Sequence, residues 1–192
     1  MMDEILKSTL TFFVIMGPFS SLPIFISVTK DMEPKQRLSA ATKAIATAGG
    51  VLFAFLLFGQ FLLDVFMIDF ASLSIAGGVV LTILGIELML SLSISGRGES
   101  SPAITLLATP ILTGPGVIVT TMIFVQQYGH LITAISALIS LAASWAVLWF
   151  SGRISGALGN FGTGIISRVT GLLLTAFAME LIIAGVKSAF AV

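Results

Sequence analysis

The chain has 192 residues, of which 57% are hydrophobic and only 9% charged, with nine basic and nine acidic side chains and no cysteine. A soluble domain carries about 25% charged residues, so this composition excludes one. The balanced charge, with no basic block, gives nucleic acid nothing to hold. The missing cysteine excludes a disulfide framework and a carrier that passes electrons through paired thiols.

The chain opens with Asp3 and Glu4 against Lys7. A cleavable signal peptide wants a basic start and an apolar region of about 7–15 residues, so the first hydrophobic run reads as a retained membrane span. Twenty-two uncharged residues separate Lys7 from Lys30, and 20 separate Lys43 from Asp64. From Ser100 to Gly152, His130 is the only titratable side chain apart from tyrosine. A membrane helix needs about 20 mostly apolar residues, and the pattern predicts six, at about 7–29, 43–63, 70–94, 102–125, 130–150 and 168–189. Continuous apolarity selects helices over a barrel, whose strands would alternate apolar and polar residues. The expected fold is therefore all-α, a single transmembrane domain over residues 1–192.

Lys30, Lys35, Arg37, Lys43, Arg97, Arg153 and Arg168 fall in connections on one side of the membrane, against Lys7 and Lys187 on the other. By the positive-inside rule both termini lie outside the cell membrane. Trp145 and Trp149 beside Arg153 fit an interfacial anchor at the inner end of the fifth span. His130, after Gly129, reads as a loop residue at a span boundary. One histidine and no cysteine offer neither a metal site nor a nucleophile–base pair; no enzyme activity and no cofactor are implied.

The third span reads Gly78-Val-Val-Leu81-Thr82-Ile-Leu-Gly-Ile-Glu87-Leu88, and the sixth reads Gly171-Leu-Leu-Leu174-Thr175-Ala-Phe-Ala-Met-Glu180-Leu181. Gly, Leu, Thr, Glu and Leu recur at an offset of 93, and Gly17-Pro18 recurs as Gly114-Pro115 at an offset of 97. Two three-span halves, 1–97 and 98–192, follow. An odd number of spans turns the second copy upside down, and inverted repeats with matching Gly/Pro interruptions point to a secondary transporter.

The interruptions are Gly17-Pro18-Phe19-Ser20-Ser21-Leu22-Pro23 in span one and Pro110-Ile-Leu-Thr113-Gly114-Pro115-Gly116-Val117 in span four. Proline removes a backbone donor and glycine resists unwinding little, so both spans are expected to be discontinuous. A break near the midplane exposes free N–H groups at one half-helix start and free carbonyls at the other half's end. Those ends attract a carboxylate and an ammonium group respectively, which matches a zwitterionic amino acid. The glycines leave little side-chain bulk and favour a small ligand, to which Ser20, Ser21 and Thr113 can add hydroxyls.

The stretch Pro110-Ile-Leu-Thr-Gly-Pro-Gly-Val-Ile resembles the second-half motif of the MarC/SnatA family of six-span membrane proteins. Pro18-Phe-Ser-Ser-Leu-Pro-Ile-Phe resembles its first-half counterpart, and the Gly171 stretch its last span. The resemblance covers nearly the whole chain. It implies transport of small neutral amino acids such as glycine and alanine, with proton-motive coupling; sodium is the alternative coupling ion that the residues themselves leave open. It departs at Gly17, where the family pattern has Asp or Asn, and at Ser20-Ser21, where it has Gly-Asn.

Glu87 and Glu180 are the charged residues well inside a span, where an ionised carboxylate costs about 2.5 kcal/mol or more. They are candidates for proton coupling. A helix advancing 100° per residue turns Glu87 away from the Gly78–Thr82–Gly85 stripe, which is a natural packing face, so a neutral, hydrogen-bonded carboxyl is the alternative. From another class, a passive small-solute channel or a membrane subunit without transport of its own fits the same spans, and the composition leaves room for a homo-oligomer.

Overall fold

A computed structural model describes residues 2–29, 32–90 and 114–190, and among these there is no strand. The helices are α1 (Met2–Met16), α2 (Pro18–Val28), α3 (Pro34–Val65), α4 (Phe70–Leu90), α5 (Pro115–Trp149) and α6 (Ser151–Phe190). Proline sits at the start of α2, α3 and α5, where its fixed φ suits the first turn and its missing N–H costs nothing. Five stretches among the described residues are long and apolar enough to cross a membrane: Met2–Leu22, Pro34–Val65, Phe70–Leu90, Pro115–Trp149 and Gly164–Phe190.

Several boundaries differ from the sequence reading: α1 starts at Met2 and not near residue 7, and α6 starts at Ser151 and not near 168, with Gly159 non-helical inside it (φ 59°, ψ −176°), so Arg153 lies on a helix and not in a connection. The second span was expected from residue 43, but Pro34 and a capping box between Glu33 and Gln36 start α3 earlier. Lys35, Arg37 and Lys43 therefore ride on the first turns of a helix and not in a connection. The end of the predicted fourth span and the fifth form one element, α5, hinged at Gly129 (φ 81°, ψ 167°). That left-handed φ suits glycine alone without strain. The expected residues 102–113 of span four, with Pro110 and Thr113, lie outside the described residues.

Pair contacts fix the helix directions. The Ser136 and Ser140 hydroxyls donate to the carbonyls of Ile5 and Thr9, so 130–149 runs parallel to α1. Trp145 Nε1 donates to Thr42 near the start of α3, whereas Gln126 bonds Gln60 near its end. The chain therefore climbs to Gly129 and returns antiparallel to α3. Met2, the α3–α4 turn, Gly129 and Phe190 share one face of the bundle.

The surface is inverted relative to a soluble protein. Phe58, Phe61, Leu131, Leu138 and Leu172 are exposed, at positions a bilayer would cover, while Phe12, Leu52, Leu81, Ile123 and Leu174 fill the interior. Apolar contact between helices gains little in lipid, where the tails are equally apolar, so close packing and hydrogen bonds decide association.

The closest fit is between α4 and α6, which run antiparallel. A Cβ placed on Gly85 lies 2.8 Å from the Gly171 carbonyl oxygen, and one on Gly78 lies 2.7 Å from that of Ala178. At Gly185 the neighbour is the Ala71 carbonyl, at 2.9 Å. Glycine at these positions lets one backbone lie on the other. The Thr82 and Thr175 hydroxyls donate back to Gly78 and Gly171 at 2.8 and 2.9 Å, so the seam leaves both satisfied.

Candidate functional site

The first interruption is a helix break. Gly17 adopts φ 53° and ψ 51° between α1 and α2, and its amide donates to the carbonyls of Phe13 and Val14 at 3.2 Å each. Pro18 then starts α2 with no N–H to offer, and no side chain caps the first turn. At the second interruption Gly114 precedes Pro115 at the start of α5, again without a side-chain cap. Helix starts of this kind carry unsatisfied amides and roughly half a positive charge.

The fold sets the start of α5 against the last turn of α1, just before the first break. A Cβ on Gly116 would strike Leu81 of α4 and lie 3.5 Å from Ile15 of α1, two residues before Gly17. From this junction α2 runs toward Thr29, whose carbonyl accepts from Arg37 at the start of α3. The opening turns of α5 run the opposite way, antiparallel to α4, with Val119 against Gly77. From the neighbourhood of Ile15 and Gly116, α2 and the opening turns of α5 thus lead away in opposite directions, each from an uncapped start.

The expected residues divide. Gly17 and Pro18 are buried, Phe19 packs edge to face on Phe13 at 6.0 Å, and Val117 is in the core. Ser20 shares a 3.0 Å hydrogen bond with Ser167 of α6, and the Ser21 hydroxyl donates to the Gly17 carbonyl at 3.2 Å. Both serine hydroxyls are engaged within the protein in this conformation. Gly116 presses on Leu81, so what it can offer a ligand is its backbone amide. Among the described residues, nothing lies within 4 Å of a Cβ added at Gly114. Glu87 is buried in α4, 5% exposed, whereas Glu180 is exposed on α6; equivalent places in the sequence repeat have unequal surroundings.

Sequence reasoning missed a run of hydroxyls. Thr133, Ser136, Ser140 and Ser144 of α5 are fully buried toward α1, whose Ser8 is 1% exposed. Their spacing of three and four residues within an apolar span was the available signal. Thr120, one turn beyond Gly116, is also fully buried, and its Oγ1 lacks a hydrogen-bond partner. Beyond it Phe124 meets Phe12 at 5.1 Å and Phe177 at 6.3 Å, both edge to face. A groove of about 170 Å³ runs beside these rings, between Leu10–Ile15 of α1 and Leu173–Phe177 of α6.

The family described as "MarC family integral membrane protein" matches residues 2–190. The chain is similar to the UPF0056 inner membrane protein YhgN of Escherichia coli (strain K12), 31% identical over 195 residues that cover 97% of this chain and 98% of the relative. It is similar also to a UPF0056 membrane protein of Pyrococcus abyssi, 32% identical over 203 residues with both chains covered in full. No solved structure matches. A match over nearly the whole length, on a bundle whose exposed surface is apolar, identifies the chain as a member of the MarC family of integral membrane proteins.

Proposed function

We propose that the protein is a secondary transporter of small neutral amino acids of the glycine and alanine type, working by alternating access between two inverted repeats. The observation that carries the reading is the pair of uncapped helix starts at Pro18 and Pro115, with the second packed near Ile15, two residues before the first break. Their amides suit a carboxylate, the C-terminal end of α1 beside them suits an ammonium group, and the crowding by Ile15, Leu81 and Leu84 suits a small side chain.

The contacts of the α4–α6 seam support the repeat. Moving between the halves by the sequence offset of 93 turns Gly78 facing the Ala178 carbonyl and the Ile182 amide into Gly171 facing the Gly85 carbonyl and the Met89 amide. The two sets of neighbours are what a two-fold axis between Leu81 and Leu174 would produce. Discontinuity of span one is supported by Gly17, and that of span four by the helix start after Gly114. Two copies of one fold facing opposite ways can open to either side at similar energy, which alternating access requires. Both termini are assigned to the outside, since Arg37, Arg153 and Arg168 gather on the face opposite Met2 and Phe190.

Proton coupling through Glu87 or Glu180 belongs to the same proposal. The test is uptake of labelled glycine by reconstituted vesicles, with and without an imposed pH gradient. Saturable, gradient-dependent uptake is expected, and Glu87→Gln or Glu180→Gln weakens its response to the gradient. Flux that neither saturates nor heeds the gradient would make the protein a channel. Unchanged coupling in both variants would leave the two carboxyls a packing role.

A further inference from the structure

Threonines inside these helices normally hand their hydroxyl to the carbonyl four residues back: Thr82 to Gly78 at 2.8 Å, Thr121 to Val117 at 2.7 Å, Thr133 to Gly129 at 2.8 Å and Thr175 to Gly171 at 2.9 Å. Thr120 does not. It is 0% exposed, and its Oγ1 meets neither donor nor acceptor. A buried hydroxyl without a partner is a standing cost to the fold, and such a group calls for an explanation.

Its position supplies one. Residues 116, 120 and 124 follow one another at intervals of four on one face of α5. Gly116 marks the junction of the two helix starts, against Ile15 and Leu81. Phe124 is held under the rings of Phe12 and Phe177. Thr120 therefore lies between the helix starts and an aromatic roof. Phe177 belongs both to that roof and to the wall of the groove between α1 and α6, and unlike Phe12 and Phe124 it is only half-buried. It has space to turn into.

We propose that Thr120 is a further ligand contact, and that Phe177 is the side chain that closes over the ligand bound there. The inference rests on the amino-acid transport reading and extends it. The Thr120 Oγ1 accepts a hydrogen bond from the ligand's ammonium group while the carboxylate sits on the amides at the starts of α2 and α5. Phe177 closes over the ligand and limits its side chain to about the size of alanine.

The experiment uses the purified full-length chain, with thermal unfolding followed with and without glycine. Thr120→Val keeps the shape and removes the hydroxyl. Relief of the unpartnered group should raise the melting temperature without glycine by about 2–4 °C, and apparent glycine affinity should fall about tenfold or more. Thr120→Ser should bind within about threefold of wild type. A purely structural hydroxyl would not give opposite signs for stability and binding. Should Thr120→Val bind glycine as the wild type does, or Thr120→Ser lose as much as Thr120→Val, the assignment is overturned while the transport reading stands. A wild-type chain with no glycine or alanine shift overturns both. Phe177 has an independent check: Phe177→Ala should improve binding of a larger neutral amino acid such as valine about tenfold or more relative to glycine. An unchanged preference between valine and glycine removes Phe177 from the site.

Discussion

The two main seams of the bundle are built on different principles. Between α4 and α6, glycines bring backbone onto backbone and the Thr82 and Thr175 hydroxyls are satisfied inside their own helices. Between α1 and α5, Ser136 and Ser140 reach across to carbonyls of the other helix, while Ser8, Thr9 and Thr120 hold hydroxyls without partners. The first seam has one way to fit, because any sliding drives a carbonyl into a Cα. The second has spare donors and acceptors and can exchange partners at small cost. A bistable carrier needs both, a fixed axle and a surface with two arrangements, and the proposed site lies where the second seam meets the first.

The largest expected effect is therefore on the axle. Gly85→Ala puts a methyl 2.8 Å from the Gly171 carbonyl and 3.0 Å from the Thr175 amide, so the backbones must part. Overpacking of this kind costs about 1–3 kcal/mol, or about 2–10 °C in melting temperature for a chain of this length. Gly85→Leu should yield no monodisperse protein on gel filtration. A Gly85→Ala variant as stable as wild type would break the contrast, since the seam would then be able to breathe.

Gly17 tests the other side, with a smaller effect. Among the described residues nothing lies closer than 3.7 Å to a Cβ placed there, so Gly17→Ala meets no clash with them and feels the left-handed φ of 53°. That conformation costs about 1–2 kcal/mol for an L-residue. Gly17→Asn, which tolerates it better, should recover part of the loss in a thermal melt. Equal melting of all three proteins would mean that the break relaxes into a continuous helix.

Much of this contrast was legible in the sequence, and the remainder shows what a sequence lacks. Gly78, Thr82 and Gly85 read as a packing stripe because helical periodicity alone puts them on one face, and Gly17-Pro18 read as an interruption from local stereochemistry. Thr120 and Thr121 could not be told apart. They are adjacent and chemically identical, and only the 100° between them decides that one bonds Val117 while the other is left unpartnered inside the bundle. Glu87 and Glu180 hold the same place in two stretches that match at an offset of 93, yet one is buried and the other exposed, because burial depends on which neighbouring helix covers a face. The early start of α3 was missed because the capping box of Glu33 and Gln36 hid in a stretch that charge alone made look like a loop.

The serine bridges sharpen the comparison at a lower magnitude. Ser140→Ala deletes the 2.7 Å bond to the Thr9 carbonyl, and hydrogen bonds between membrane helices average about 0.6 kcal/mol. The variant should melt only about 1–3 °C below wild type. If its loss matched that of Gly85→Ala, the α1–α5 seam would be as rigid as the axle, and the division of labour would fail.

The smallest effect is expected at the water-exposed end of the axle, where Asp69 precedes α4. Its Oδ1 accepts from the Ser72 amide at 2.6 Å, and the Ser72 hydroxyl and amide together hold its carboxyl below the ordinary value of 3.8. A carboxylate with a depressed folded pKa contributes stability that is present above the unfolded value and is lost as pH falls through the folded one. Asp69→Ala should therefore melt slightly below wild type at pH 7, and the difference should narrow as pH is lowered beneath 3.8. Asp69→Asn keeps an acceptor for the first turn but cannot titrate, so its offset from wild type should shrink or reverse over the same range. Because the carboxyl is exposed, added salt should weaken the charge-dependent part of the effect. A gap between Asp69→Ala and wild type that stays constant from pH 7 to below 3.8 would mean that the cap works through its geometry alone and that its charge adds nothing to the start of α4.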